Sequence, residues 1–204
     1  MPHAYPELTG ALAQMLDKID TYLRDSGYEG PPVRMYLAGG LAVNYYCGSR
    51  YTEDVDASFS RRVVVRSEDL VIDYLRRDGT PSIIYFDANY NSTLSLLHED
   101  FEDDALEWEG MNDTGRLVQL LVLSPLDLAV SKISRFTDQD QDDILDLARA
   151  GLITAEAVRM RALDALSYYV GNIRWVRGSI DVICNRIKAL EATQPPRPSK
   201  GCEP

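Results

Sequence analysis

The sequence predicts an α+β fold, with a small mixed β-sheet flanked by helices and a helical C-terminal part. Three observations predict it. Short apolar strands alternate with amphipathic helices as far as residue 124, every later segment has helical periodicity, and 204 residues suffice for one core with a helical appendage. We expect residues 1–152 to form the α/β core, 153–192 the helical part and 193–204 a disordered tail.

The elements of the first half follow from hydrophobic spacing and from breaker residues. In chain order they are a helix over 7–26, a strand in "VRMYLAGG" (33–40), a helix in "LAVNYYCG" (41–48), a strand in "DVDASF" (54–59) that "RRVVV" (61–65) extends or pairs with, and a helix in "SEDLVIDYLRRDG" (67–79). For this last helix, Ser67 is the expected N-cap, acids occupy the first turn, basic residues occupy the last turn, and Gly79 closes it.

The second half begins with two strands and ends in helices. The expected elements are strands in "PSIIYFDANYN" (81–91) and "GRLVQLLVLS" (115–124) with a short helix and a loop between them, a helix over 124–136, a helix over 138–151, and one or two helices over 154–190 with breaks at Gly171 or Gly178. Ser124 is the expected cap of the helix that Pro125 begins, and Gly151 closes the next.

Composition limits the classes of function. The net charge of −11 does not attract nucleic acid without a local basic patch or a bridging metal ion. The three cysteines, Cys47, Cys184 and Cys202, are widely spaced and form neither a disulfide framework nor a zinc-binding pattern, which favours a reduced, cytoplasmic location. We also expect no signal peptide and no membrane span, because no basic and apolar leader and no long apolar run is present.

The stretch "AGGLAVNYYCGSRYTEDVD" (38–56) predicts a binding site. Gly39 and Gly40 let a ligand approach a helix N-terminus, which attracts anions. Asp54 and Asp56 alternate on a strand and would therefore project side by side, where they repel unless a cation lies between them. A phosphate site beside paired carboxylates is typical of a Mg²⁺-nucleotide site. Each motif alone is common in ordinary turns and edge strands, and their combination favours the site.

The same residues have a family resemblance. "GGLAVNYYCGSRYTEDVDASF" (39–59) resembles the nucleotidyltransferase superfamily, whose fold is shared by DNA polymerase beta and the CCA-adding enzymes. The Arg50-x-Thr52 spacing before the aspartates is most similar to a minimal bacterial branch that includes AbiEii-type toxins. The resemblance implies that Asp54 and Asp56 bind Mg²⁺ (or Mn²⁺), and that Arg50 and Thr52 bind phosphate or brace the strand.

A second stretch resembles the downstream signature of that branch. In "LVLSPLDLAVSKISRFTDQDQDDILDL" (121–147), the resemblance implies that Lys132 faces the nucleotide phosphates and that Asp140 and Asp143 are site acids. Read without the resemblance, Lys132 is a solvated helix lysine and the aspartates are a charged helix start.

One feature departs from the superfamily pattern. Polymerase-like members have a third carboxylate on a later strand, whereas "RLVQLLVLS" (116–124) has Gln119 and no acid. Asp87 is the nearest acid on a strand, but we favour Asp143 for this role. If neither residue fills it, the protein binds nucleotide without turning it over.

The resemblance implies transfer of a nucleoside monophosphate from an NTP to an acceptor hydroxyl, on a tRNA 3′ end or on a protein. It also implies a toxin role, with an antitoxin protein as partner. The alternative is a catalytically weak nucleotide-binding module of the same fold that acts through a partner protein. A third reading is an unrelated α+β domain with an accidental D-x-D.

Overall fold

Six helices and two small sheets form the part of the chain that the computed structural model describes, residues 5–108, 110–112 and 115–193. The helices are α1 Pro6–Asp25, α2 Gly39–Cys47, α3 Pro125–Ser131, α4 Asp138–Arg149, α5 Ala155–Ala165 and α6 Ile173–Thr193. The strands are β1 Val33–Leu37, β2 Asp54–Val55, β3 Ala57–Phe59, β4 Val71–Leu75, β5 Pro81–Phe86, β6 Leu106–Glu107 and β7 Val118–Val122. The predicted α+β class is confirmed.

Each sheet mixes parallel and antiparallel pairs. The larger has the order β3-β1-β7-β6, in which only β1 and β7 run parallel. The smaller has the order β2-β5-β4, in which β2 and β5 run parallel and β4 and β5 form a hairpin. Because β2 and β3 are separated only by Asp56 and belong to different sheets, the chain bends between the sheets at that residue.

One apolar core joins the sheets to the helices. The predicted periodicity of α1 is confirmed, since it buries Leu8, Leu12, Met15, Leu16 and Ile19 and packs against β4 and β7. The C-terminal helices pack as a group, with α5 against α3 and α6 against α4 and α5. In the described residues no helix is long and apolar enough to cross a membrane.

The helix predicted over 67–79 is wrong. Residues Ser67–Leu70 form a 3-10 turn, and Val71–Leu75 form β4. Ile72 is buried between exposed Val71 and Asp73, which is the two-residue period of a half-buried strand. Gly79, expected to cap the helix, has φ +81° and lies in the hairpin turn between β4 and β5. The acids that suggested a helix dipole, Glu68 and Asp69, lie in the 3-10 turn, and the bases, Arg76 and Arg77, follow β4.

Other boundaries also differ from the predictions. No strand forms over 61–65, "DVDASF" is split into β2 and β3, and the segment 94–115 contains a second 3-10 turn and the short strand β6. Helix α3 begins at Pro125 as predicted, with the Ser124 hydroxyl accepting from the Asp127 N–H, but ends at Ser131. The break between the last helices lies near Gly171, and Gly178 is inside α6. Of the residues 193–204 that were predicted as a disordered tail, Thr193 ends α6 and 194–204 lie outside the described residues; the domain division stays a prediction.

Candidate active site

A polar cavity of about 270 Å³ lies where α2 begins, where β5 ends and where α3 connects to α4. Acidic, basic and neutral polar side chains share its lining. The lining residues are Gly39, Asp56, Asp87, Asn89, Tyr90, Asn91, Leu94, Ser95, Ser131, Lys132, Ser134, Arg135 and Asp140. Of the residues predicted from the sequence, the cavity brings together Gly39, Asp56, Lys132 and Asp140.

Two carboxylates meet at the acidic side of the cavity. The parallel pairing of β2 with β5 continues past Phe86, so that the Asp87 N–H donates to the Val55 carbonyl at 3.1 Å. This bond places Asp87 beside Asp56. Burial, followed by the charges of Asp87 and Asp54, raises the pKa of Asp56, and the cations Lys132 and Arg135 offset only part of this effect. Asp56 is therefore an acid whose negative charge is not fully compensated.

Asp54 lies outside the cavity lining, although it was expected to project beside Asp56. It pairs with Tyr85 across β2 and β5, and its Oδ1 accepts a hydrogen bond from the Tyr85 hydroxyl at 2.6 Å. That bond raises the pKa of Tyr85 to about 12. The alternation rule applies to a continuous strand, whereas here the chain changes sheets at Asp56.

The glycine pair separates into two roles. Gly39 has φ +61°, and a Cβ there would lie 1.8 Å from Asp56 Oδ2, so its backbone is in contact with the carboxylate. Gly40 is buried behind it, where a Cβ would lie 2.8 Å from Arg50 Nε and 3.2 Å from Thr52 Cβ. Arg50 and Thr52 are therefore packed against the start of α2 and do not line the cavity.

The basic side of the cavity follows α3. Lys132 has a side chain only 4% exposed, and its Nζ donates to Asp143 Oδ2 at 2.7 Å and lies 3.8 Å from Asp140 Oδ1. Arg135 follows three residues later and is bound at 2.8 and 2.7 Å by the two oxygens of Asp140. Lys132 is therefore nearly buried and held in one orientation, and it is not the solvated helix lysine that the sequence suggests without the family resemblance.

Asp143 lies behind the lysine. One of its oxygens accepts from both Lys132 and Arg50, and the other accepts from Gln139 Nε2 at 3.1 Å. Both oxygens are thus engaged, and Asp143 does not line the cavity. This arrangement suits a residue that orients Lys132 and Arg50.

Asp140 lies in the first turn of α4 and contacts both Lys132 and Arg135. It forms a capping box with Thr137, in which each side chain bonds the backbone N–H of the other. Although burial opposes ionisation, hydrogen bonds from Arg135 and Thr137 lower the pKa of Asp140 to about 2. Asp140 is therefore an anchored anion whose charge is matched by Arg135.

The comparison with protein families decides the classification. Residues 14–179 match the family described as "nucleotidyltransferase of unknown function (DUF6036)". The chain belongs to this family. The matched range includes every lining residue of the cavity and the whole Lys132–Asp143 cluster. A comparison with curated proteins finds no match. The predicted nucleotidyltransferase superfamily is thereby confirmed, and the AbiEii-type branch stays a prediction.

Within this family member, sequence reasoning missed part of the site. Asp87 was considered and placed second to Asp143, because its position depends on the parallel pairing of β2 with β5. Tyr90, which is half-buried near Asp56 and whose pKa is raised to about 12 by desolvation, has no signal in the sequence. Arg135 could have been found, since it follows Lys132 at helical spacing.

The acidic side fits a divalent cation that is completed by substrate. Among the described residues, no group of three or more His, Cys, Asp or Glu could hold a metal ion by itself. Mg²⁺ is commonly bound through one or two carboxylates together with substrate phosphates, so the carboxylate of Asp56 is a ligand of the right chemical kind. The incompletely compensated charge of Asp56 is the observation that favours a cation there.

This charge has a measurable consequence for stability. We expect Asp56→Asn to raise the melting temperature near neutral pH without divalent cations, because it removes a desolvated charge that Asp87 and Asp54 repel. Since the folded-state pKa of Asp56 is raised, the destabilising charge is present above that pKa and disappears as the pH falls through it. The advantage of the variant should therefore shrink in acid.

Thermal denaturation across a pH series checks this, with exposed Asp103→Asn as the matched control. The control should have little effect at any pH. A lower melting temperature for Asp56→Asn than for the wild type would show that the carboxylate is satisfied in the folded protein.

Proposed function

We propose that this family member is a Mg²⁺- (or Mn²⁺-) dependent nucleotidyltransferase that transfers NMP from an NTP to an acceptor hydroxyl. The observation that supports this most directly is that one cavity is lined by carboxylates and by fixed cations. Asp56 and Asp87 form one side, and Lys132 and Arg135, the latter bonded to Asp140, form the other. Phosphoryl chemistry depends mainly on positioning and on electrostatic stabilisation, and this cavity provides both.

The reaction exchanges a phosphoanhydride bond of the NTP for a phosphoester bond to the acceptor. The acceptor oxygen attacks the α-phosphorus, the new O–P bond forms, the bond to the bridging oxygen breaks, and pyrophosphate leaves. The proton of the acceptor hydroxyl passes to the Asp87 carboxylate, which lies beside Asp56 and lines the cavity. When bound, Mg²⁺ would supply positive charge to the acceptor oxygen and to the phosphate oxygens.

The triphosphate lies on the basic side in this proposal. Lys132 and Arg135 are each fixed by a buried aspartate, so they contribute charge without losing much side-chain freedom on binding. The N-terminus of α2 at Gly39 adds backbone N–H groups and the positive end of the helix dipole.

The remaining predicted residues act behind the cavity. Asp143 orients Lys132 and Arg50, while Gly40 and Thr52 pack against Arg50. Asp54 is a second carboxylate for the cation once its side chain turns from Tyr85, or a support for Asp56 if it does not.

Incubation of the protein with Mg²⁺ and each NTP, labelled in turn on the α- or the γ-phosphate, tests the proposal. RNA and total cell protein are the acceptors. Label from the α-phosphate alone should become covalently attached. Transfer of γ-label would indicate a kinase, and release of γ-phosphate alone would indicate hydrolysis; either would contradict nucleotidyl transfer.

A second candidate is a nucleotide-binding module that acts through a partner protein. The bond between Tyr85 and Asp54 favours it, because it engages one of the two predicted metal ligands. Stabilisation of the fold by Mg²⁺-NTP without transfer of α-label would support this candidate. The toxin role, the antitoxin partner, the tRNA or protein acceptor and the cytoplasmic location rest on the sequence.

A further inference from the structure

A second cleft, of about 290 Å³, adjoins the cavity on the far side of the residues that follow β5. Asp87 and Asn89 line both spaces and so form the wall between them. The remaining lining comes from the 3-10 turn before β4 and from the end of β5: Ser67, Glu68, Val71, Tyr85, Phe86 and Ala88. The cleft therefore reaches Asp87, whereas Asp56, Lys132 and Arg135 line only the cavity.

The two spaces differ in their cations. The cavity is lined by Lys132 and Arg135 as well as by Asp56, Asp87 and Asp140, whereas the cleft is lined by Glu68 and Asp87 and by no lysine or arginine. Arg66, the nearest cation in sequence, has its guanidinium 2.8 Å from Asp69 and 3.8 Å from Glu68 and does not line the cleft. A phosphate-rich ligand would therefore meet the carboxylates of Glu68 and Asp87 in this cleft and no cation in its lining.

Asp54 adds to this negative character. It is bonded to the hydroxyl of Tyr85, whose side chain lines the cleft. The chain as a whole has a net charge of −11, so its long-range field also attracts cations and repels polyanions.

We infer that this cleft binds the acceptor, and that the acceptor is a neutral or cationic molecule with a free hydroxyl group. The inference rests on the proposed function, since it places the nucleotide in the cavity lined by Lys132 and Arg135. In an in-line displacement, the attacking and leaving oxygens lie on opposite sides of the phosphorus. Pyrophosphate would leave toward Lys132, and the acceptor would therefore enter from the Tyr85 side.

Asp87, in the wall that the cavity and the cleft share, would lie next to the attacking hydroxyl group. The acceptor hydroxyl would reach the α-phosphorus past Asp87, which takes its proton as the O–P bond forms. Glu68 would attract an ammonium or guanidinium group of the acceptor, and the apolar atoms of Val71 and Ala88 would contact its carbon skeleton. A hydroxyl-bearing basic peptide has these features, whereas RNA does not.

Three acceptors in parallel test the inference. They are a serine- and lysine-rich peptide, a serine- and aspartate-rich peptide, and a short RNA with a free 3′ hydroxyl, each incubated with Mg²⁺ and an α-labelled NTP. We expect label on the basic peptide at a rate at least about tenfold above that for the other two, since like charges facing each other across an interface are costly. Label on the RNA at an equal or higher rate would overturn the inference.

Cleft variants localise the effect. Glu68→Lys reverses the charge of the cleft, and Ala88→Trp fills it; both positions are exposed, so the fold should tolerate the changes. Each should lower transfer to the basic peptide about tenfold or more while the thermal shift with Mg²⁺-NTP stays as in the wild type. Glu29→Lys, the same charge change at an exposed site on the loop before β1, should leave both unchanged.

The outcomes separate this inference from the proposed function. Transfer to the basic peptide that survives both cleft variants would overturn the inference alone, as would label on the RNA or on the acidic peptide without label on the basic peptide. Absence of label on every acceptor, with or without a Mg²⁺-NTP thermal shift, would overturn the proposed function, and the inference with it.

Discussion

Gly39→Ala is expected to lower nucleotidyl transfer about 100-fold, because a displacement of about 1 Å in a reacting group has an effect of this size. The added Cβ would lie 1.8 Å from Oδ2 and 2.8 Å from Cβ of Asp56, so the carboxylate and its backbone must both move. Burial of the new methyl group does not offset this, since Gly39 also has φ +61°, a conformation that costs an alanine about 1 kcal/mol. The measurement is α-label transfer together with the melting temperature.

Gly79→Ala separates the two effects. Gly79 has φ +81°, but a Cβ there would meet nothing within 4 Å. This variant should therefore show only the loss of stability that the positive φ causes, which is smaller than that of Gly39→Ala, and no loss of activity. If Gly39→Ala retained full activity, contact between Gly39 and Asp56 would have no importance for the reaction.

Lys132→Met is expected to affect stability and nucleotide binding together. It leaves buried Asp143 and Asp140 with less positive charge, and removal of one partner of a buried ion pair costs about 3 kcal/mol or more. Arg50 and Gln139 stay bonded to Asp143, which favours the lower end of that range. The shift in melting temperature produced by Mg²⁺-NTP should also disappear.

A double variant distinguishes the structural effect from the binding effect. Lys132→Met/Asp143→Asn removes both charges of the pair, so much of the lost stability should return while nucleotide binding stays weak. Lys188→Met, an exposed lysine on α6, is the matched control and should leave both properties unchanged. Recovery of nucleotide binding in the double variant would show that Lys132 acts only as a structural partner of Asp143.

Local signals were enough to predict much of the fold. The periodicity of α1, the Ser124 cap of α3 and the glycine that ends α2 are properties of short segments, and the structure has them where expected. The helix prediction for 67–79 was wrong because the charges of this segment agree with a helix dipole, while its side chains alternate as in a strand. Pairing with β5 decides between the two, and that long-range contact is not visible in the segment.

In the candidate site, too, local motifs were predictable and long-range contacts were not. Gly39, Asp56 and Lys132 are predicted as site residues from local motifs that combine into a recognisable pattern, and all three line one cavity. Asp87 was underestimated because its closeness to Asp56 depends on two strands that are far apart in sequence. Asp143 was assigned a reacting role, yet its oxygens are bonded to Arg50, Lys132 and Gln139, a fact that only the packed structure provides.

The most direct test of the central claim compares Asp56→Asn with Asp103→Asn in the transfer of α-labelled nucleotide. Asp103 is an exposed acid outside the cavity. Both variants therefore remove one negative charge, but only Asp56→Asn alters the cavity. We expect Asp56→Asn to abolish transfer and Asp103→Asn to retain the wild-type rate. Transfer by Asp56→Asn at the wild-type rate would show that the reaction takes place elsewhere on the protein.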